Sequence, residues 1–491
     1  MLQQLSFDEF IELSHTAKRV AVFQEIETEK KTAMDVFQTL DRELSGGVIL
    51  ESGLQRQDSG RYSLLAFESI AKLQVKNQQV YQTIGLKTVT YPDQPLVRLR
   101  ELISELSYVS RADKADFIGS AVGLMSYDAI RYFENIPDRH AQDELLPEIE
   151  FNFYRTTVTF DHEKEILLIS VMTEVGNDPV QAYQQAQGKI AYLITKLKQA
   201  IVHDTHEFSA PQKEVLAEME VSDEVFMQWV DRAKDYITQG DAFQIVLSRT
   251  FKKQYVSSPL NVYCALRQSN MSPYMFYLPM GDRVIVGASP EKLVSVQRGL
   301  VAVNPIAGTR PRTLESNEAD VAAELLSEKK EIAEHMMLVD LARNDLGVVS
   351  IPGSVNVMEL LKVKHYPHIS HITSEVTGQL QDHNDAFDAL VSAFPAGTLS
   401  GAPKIRAMQI IDELEASRRG LYGGAICCLD YEGNLDSCIA IRMAVLKDGI
   451  ATVRTGAGIV YDSDPFAEAQ ETKQKAKAML HALEMADAAV I

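Results

Sequence analysis

Apolar positions recur at helical spacing over 225–237, where Val225, Phe226, Trp229, Val230, Ala233 and Ile237 mark one face. Ser222 or Asp223 can cap the start of this helix and Gly240 suits its end. AFQIVLSRTF (242–251) follows, rich in strand formers, and predicts a buried strand. YGGAICCLDY, LDSCIAIRMAVL and IATVRTGAGIVY, separated by turns at Glu432-Gly433-Asn434 and Asp448-Gly449, predict an antiparallel meander over 421–461. In its middle run Arg442 shares a face with Cys438, Ala440, Ala444 and Leu446. The sheets are therefore at least partly antiparallel, and a purely parallel doubly wound fold is disfavoured. The softest stretch, 203–222, divides the chain into regions 1–205 and 222–486.

Two further helices carry one acidic pattern. In KEIAEHMMLVDLARNDLG, Glu331, Glu334 and Leu338 fall at i, i+3 and i+7. In DPFAEAQETKQKAKAMLHAL, Asp464 caps, Pro465 opens the first turn, and Glu468 and Glu471 share a face. An E-x-x-E pair alone is common on solvated helices. The second follows directly on the glycine-bearing strand GAGIVY, and four carboxylates converging from two helices would suit a hard cation such as Mg²⁺.

Composition narrows the partners. Lys and Arg number 48 against 68 Asp and Glu, a net charge of −20, with no long basic run. Nucleic acid and anionic membrane surfaces are disfavoured, whereas a local basic pocket can still take a small anion. The cysteines Cys264, Cys427, Cys428 and Cys438 lack zinc-like spacing and read as buried thiols. The acidic segment MLQQLSFDEFIEL lacks the features of a signal peptide, and no apolar run reaches membrane-spanning length. The expectation is a soluble, cytoplasmic protein.

His365, His368 and His371 look like a metal cluster, but Pro367 breaks any helix that would align them. In an extended strand His368 would oppose the other two, and His365 and His371 would lie roughly 20 Å apart. His371, opening HITSEV, remains a candidate proton carrier. Arg442 among small apolar neighbours calls for an anion, and its fork fits a carboxylate. AGTLSGAPK lacks phosphate-loop spacing, so its glycines, with Gly456 and Gly458, allow close backbone approach to a ligand.

GASPE (287–291), PIAGTRPR (305–312), KEIAEHMMLVDLARNDLG (330–347), AGTLSGAPKIRAM (396–408), Tyr422-Gly423-Gly424, IAIR (439–442), GAGIV (456–460) and E-x-x-E-T (468–472) occur in this order. LES (50–52), GRYS (60–63) and FIGSAVGLMSYDAIRYFE (117–134) precede them. Together they resemble the chorismate-utilising enzymes, most closely the component I chains of anthranilate synthases. The resemblance implies an α+β fold of two orthogonally packed, mainly antiparallel sheets with helices outside. It implies Mg²⁺ on Glu334 and Glu471, supported by Glu331 and Glu468, holding the ring carboxylate of chorismate. Arg442 and Tyr422 would bind the enolpyruvyl carboxylate, helped by the amides of Gly456, Ala457 and Gly458. Gly308, Thr309 and Thr398 would line the pocket, with Glu291 the acid that protonates the leaving hydroxyl.

The implied reaction converts chorismate and ammonia to anthranilate and pyruvate. A separate glutamine amidotransferase subunit would supply the ammonia, in a heterotetramer. The alternatives are aminodeoxychorismate synthase component I and the isochorismate or salicylate synthases. The last two place a water-activating Lys where Gln244 stands, and the first carries PIKGT where this chain has Ala307. The resemblance also implies feedback inhibition by tryptophan, bound between Glu51-Ser52 and Pro273-Tyr274-Met275. Glu51 would meet its ammonium there and Met275 its ring. Met271 and Gly53 depart from the family pattern.

Overall fold

Two strands, Tyr62–Lys76 and Ile149–Asp161, organise the fold. They are about twice the usual strand length. They pair with each other throughout, with one register shift between Ser69 and Ala71 beside Glu68 at φ +59°. A bulge of this kind bends a ribbon and sharpens its twist, so the same two strands serve two sheets. The computed structural model describes residues 3–52, 61–92, 94–110, 121–141, 146–199, 208–209, 217–311, 317–365 and 369–489.

The first sheet runs Arg19–Glu27, Ile166–Glu174, the far half of Ile149–Asp161, the near half of Tyr62–Lys76, Val48–Glu51, Tyr274–Met280, Arg283–Ser289, Met443–Lys447, Ile450–Ile459 and Gln244–Gln254. The second starts from the other halves of the shared ribbon. It continues through Ala121–Met125, Ala425–Leu429, Leu435–Ile439, Lys292–Gln297, Leu300–Val303 and Ile369–Gln379. Ile306–Pro311 and Asn356–His365 then pair with opposite edges of Ile369–Gln379. All these ladders are antiparallel, as the sequence led us to expect. The regions 1–205 and 222–486 are not separate sheets. Val48–Glu51 lies against Tyr274–Met280, and Ala121–Met125 against Ala425–Leu429.

The chain changes sheet at two adjacent places. Arg283–Ser289 belongs to the first sheet and Lys292–Gln297 to the second; Leu435–Ile439 belongs to the second and Met443–Lys447 to the first. The expected meander is thus two hairpins in different sheets. LDSCIAIRMAVL is not one strand: it breaks at Ala440–Arg442, with Arg442 at φ +51°. The face assigned to Arg442 by alternation is therefore corrected. The crossings are tied together. Ser289 Oγ donates to the Ile439 carbonyl (2.7 Å), Ile439 N to the Glu291 carbonyl (3.0 Å), and Ala288 N to the Arg442 carbonyl (3.1 Å).

The histidine segment is also reshaped. Asn356–His365 and Ile369–Gln379 form a hairpin with Lys364 opposite His371, so His365 and His371 sit on neighbouring strands and not at the ends of one. His368 lies outside the described residues. No three His, Cys, Asp or Glu side chains among the described residues are gathered as a metal-binding group.

Helices Asp223–Thr238, Pro259–Ser269 and Pro465–Ala488 cover the first sheet. Ser222 caps the first of these through Val225 N, and Asp464 caps the last through Ala467 N. Ala469, Thr472 and Ala476 are fully buried on Pro465–Ala488, and these small side chains let it settle closely on Ile450–Ile459. Lys329–Val349 packs on the second sheet through Leu338, Val339, Ala342 and Leu346. Among the described residues no helix is long and apolar enough to cross a membrane.

Candidate active site

The sheet crossings, with the ends of these two helices, form the cleft. Glu291 sits at the first crossing, immediately before Lys292–Gln297. Desolvation by the cleft walls pushes its carboxyl up to about 7, although the Thr398 hydroxyl donates to its Oε1 at 3.0 Å and the Lys475 charge opposes the rise. A carboxyl poised there can donate a proton near neutral pH.

Arg442 stands at the second crossing. Burial pulls its guanidinium pKa down, while Tyr422 and Glu471 act the other way. Its Nη1 donates to the Lys475 carbonyl at 2.9 Å, and no carboxylate pairs with it among the described residues. A buried cation without a counter-ion carries a desolvation penalty of several kcal/mol, which an incoming carboxylate would relieve. Tyr422 closes the same wall. A Cβ on Gly456 would fall 2.7 Å from the Tyr422 hydroxyl and 2.5 Å from the Leu247 carbonyl, and one on Gly458 2.8 Å from Gln244 Nε2. Glycine is required at 456, where the Leu247 backbone stands in the way, whereas at 458 only the tip of the Gln244 side chain would have to move.

The four glutamates stand on the two helices within electrostatic range of one another, without closing into a metal-binding group. Burial raises the Glu334 carboxyl, and the charges of Glu331 and Glu471 add to the rise. Glu468 is raised by burial and by Glu471. Lys475 lies among them: its Nζ pairs with Glu471 Oε1 at 2.6 Å and donates to the Gly456 carbonyl at 3.0 Å, and its charge reaches Glu291, Glu334 and Glu468. Arg310 Nη1 contacts Glu331 Oε1 at 3.2 Å. Glu334 and Glu468, raised by burial and by neighbouring carboxylates, are oxygen donors of the type a divalent cation takes.

His371 projects from Ile369–Gln379 opposite Thr309. Its Nδ1 lies 3.2 Å from the Gly308 carbonyl and burial lowers its pKa. Because that carbonyl only accepts, Nδ1 carries the hydrogen and Nε2 is the basic nitrogen. Gly308, at φ +63°, brings the turn close to Glu331 Oε2, 3.1 Å from where a Cβ would stand. The Thr309 side chain lies outside the described set. Ala307 pairs with Ile372.

A profile of the chorismate binding enzyme family matches residues 48–481. The chain belongs to the chorismate-binding enzyme family. It is 40% identical over 475 residues to anthranilate synthase component 1 of Acetivibrio thermocellus, covering 95% of this chain and 96% of that one. It is 36% identical over 489 residues to anthranilate synthase component 1 of Aquifex aeolicus, covering 98% of each. Among solved structures it resembles anthranilate synthase component I from Streptococcus pneumoniae with a TM-score of 0.74 at 36% identity, covering 87% of this chain and 94% of that one.

This member of the chorismate-binding enzyme family has a second cavity on the other side of the sheet crossings, about 330 Å³ in volume. Glu51, Ser52, Pro273, Tyr274 and Met275 all line it, opposite Lys292, Asp436 and Cys438. Met275 is buried and pairs with Glu51. The role assigned to Glu51 needs correction: Arg267 holds both its oxygens at 2.8 Å and the Tyr263 hydroxyl adds a third bond at 2.9 Å. It walls the cavity as a neutralised partner and offers no free anion. Ser52 Oγ is buried without a hydrogen-bond partner among the described residues. Gly53 lies outside them, and Met271 is exposed and is not among the cavity's lining residues. Sequence reasoning missed Lys475. Its position four residues after Glu471 on one helix face was the available signal.

Proposed function

We propose that this chain is the chorismate-converting subunit of an anthranilate synthase, releasing pyruvate as it aminates and aromatises the ring. The observation that carries this reading is Glu291, a carboxyl raised to about 7, beside Arg442, which no carboxylate pairs among the described residues, and the glutamates of the two helices. Chorismate is a dianion. Arg442 and Tyr422 take its enolpyruvyl carboxylate, with the amides at 456–458. Glu334 and Glu471, backed by Glu331 and Glu468, hold Mg²⁺, which when bound supplies positive charge for the ring carboxylate. Two fixed carboxylates orient the ring before attack.

Ammonia bonds to ring C2 as the C4–O bond breaks, and Glu291 gives its proton to the departing hydroxyl, which leaves as water. The new ammonium gives up one proton, restoring that of Glu291. His371 Nε2 then takes the C2 proton and the enolpyruvyl C–O bond breaks. The departing enolate takes a proton at its methylene carbon to become pyruvate, and the ring becomes aromatic. Gln244 and Ala307 argue against the sister reactions, because neither supplies an amine to activate water or attack C2. A separate glutaminase subunit feeds ammonia in a heterotetramer in the cytoplasm. The cavity around Ser52 and Met275 takes tryptophan as an inhibitor. Incubating the purified chain with chorismate, Mg²⁺ and ammonium tests the reading. Anthranilate, identified by fluorescence and mass, is expected; 4-amino-4-deoxychorismate or isochorismate would overturn it.

A further inference from the structure

Beneath the cleft floor lies an ion cluster that the chemistry above does not use. The side chains of Glu415, Arg419 and Arg454 are 1%, 2% and 6% exposed. Glu415 Oε1 accepts from Ser248 N (2.7 Å), Ser248 Oγ (2.9 Å) and Arg419 Nη2 (2.6 Å). Its Oε2 accepts from Arg419 Nε (3.0 Å) and Arg454 Nη2 (2.8 Å). Buried ion clusters are often no more stabilising than apolar residues of the same volume. What this one holds in place is more informative.

Arg419 Nη1 donates to the Leu399 carbonyl at 2.5 Å. Leu399 follows Thr398, whose hydroxyl holds Glu291. Arg419 Nη2 donates to the Val246 carbonyl at 2.5 Å, on the residue paired with Gly458. The guanidinium also lies over the rings of Tyr127 and Tyr422, 4.6 and 5.8 Å from their centroids. One planar fork therefore grips the turn carrying the acid's hydrogen-bond partner, the floor strand, and the tyrosine on the opposite wall. An ammonium is a point donor and cannot reproduce this set.

We propose that Arg419 is a positioning residue for the reaction, setting Thr398 against Glu291 and Tyr422 against the substrate carboxylate from beneath the cleft. The proposal rests on the reading of Glu291 as the acid. Thr398 donates to the charged form of that carboxyl, so loosening it favours the protonated form and extends activity to higher pH.

Ammonium-dependent anthranilate formation should be measured across pH, at constant un-ionised ammonia, for wild type, Arg419→Lys, Arg419→Met, Thr398→Val and the Arg419→Lys/Thr398→Val pair. Near-ultraviolet circular dichroism checks the fold of each. Arg419→Lys should lose kcat by about 10²-fold, the scale of a small misplacement. Its alkaline limb should move to higher pH, as should that of Thr398→Val. The pair should lose no more than the worse single change, because one residue acts through the other. A folded Arg419→Lys enzyme with the wild-type pH profile overturns the proposal, as does a pair whose losses multiply. If neither Arg419 variant folds, a Thr398→Val profile coinciding with wild type overturns it alone. Full activity in Glu291→Gln would instead remove the acid reading, an outcome separate from these.

Discussion

Thr398 Oγ1 donates to Glu291 Oε1 across 3.0 Å, at a carboxyl that desolvation lifts to about 7. Glu291 must be protonated to act, so kcat should fall as pH rises through that value once ammonia speciation is held constant. Glu291→Gln should lower kcat by about 10²- to 10⁴-fold, the usual contribution of a general acid. Its chorismate affinity, measured by calorimetry, should stay near that of wild type.

The same group should register in stability. Its folded pKa lies above the ordinary value of 4.5, so the folded state holds the proton more tightly. Stability is fully present below the ordinary value and is lost as pH rises through about 7. Thermal melting should therefore show Glu291→Gln gaining on wild type at pH 8 and losing that advantage near pH 5. Equal differences at both pH values would contradict this sign.

Removing one carboxylate from the two helices should disable turnover. Glu334→Gln and Glu471→Gln should each lower it by at least about 10²-fold, the scale of disrupted substrate placement. Mg²⁺ should strengthen chorismate binding by wild type in titration calorimetry and fail to do so for the variants. Near-wild-type rates at saturating Mg²⁺ in both would refute the metal assignment.

Ammonium at mildly alkaline pH should suffice for the chain by itself. Glutamine should be inert until a glutaminase subunit is added. Glutamate release from glutamine by the purified chain would contradict this division of labour.

Ser52 is the cleaner probe of the second cavity. Ser52→Phe should fill it and relieve tryptophan inhibition with uninhibited turnover nearly intact. Met275→Ala should also relieve inhibition, but Met275 is buried in the core, so the change should destabilise by roughly 2–5 kcal/mol. Binding is reciprocal, so chorismate must weaken tryptophan binding. Calorimetry showing tryptophan affinity unchanged by chorismate would defeat the proposal.

Local pattern made the helices, their caps and the carboxylate faces legible, because each rests on residues a few positions apart. Ser222 and Asp464 cap the helices they were expected to cap. The break at Ala440–Arg442 was hidden for a physical reason. A segment buried by both sheets is apolar on both faces, so alternation carries no mark of where it changes sheet. The partner of Glu51 was hidden by distance, since Arg267 arrives from a helix far along the chain. Glu415 and Arg419 stand four apart and resemble an ordinary surface pair, but Glu415 already caps the end of Lys404–Leu414 and both lie inside. Only packing reveals their setting.

The peptides around Glu291-Lys292 and Cys438–Arg442 stand between the second cavity and the candidate active site: Lys292 and Cys438 line the cavity, while Glu291 and Arg442 belong to the site. This party wall limits how the chain can diverge. A change there would disturb the proposed tryptophan control and catalysis together, so neither trait could drift alone. The opposite side, built from Leu50–Ser52 and Pro273–Met275, carries none of the reacting groups. Variants that lose the proposed tryptophan control while keeping their rate should therefore carry substitutions on that far side and leave the shared wall alone.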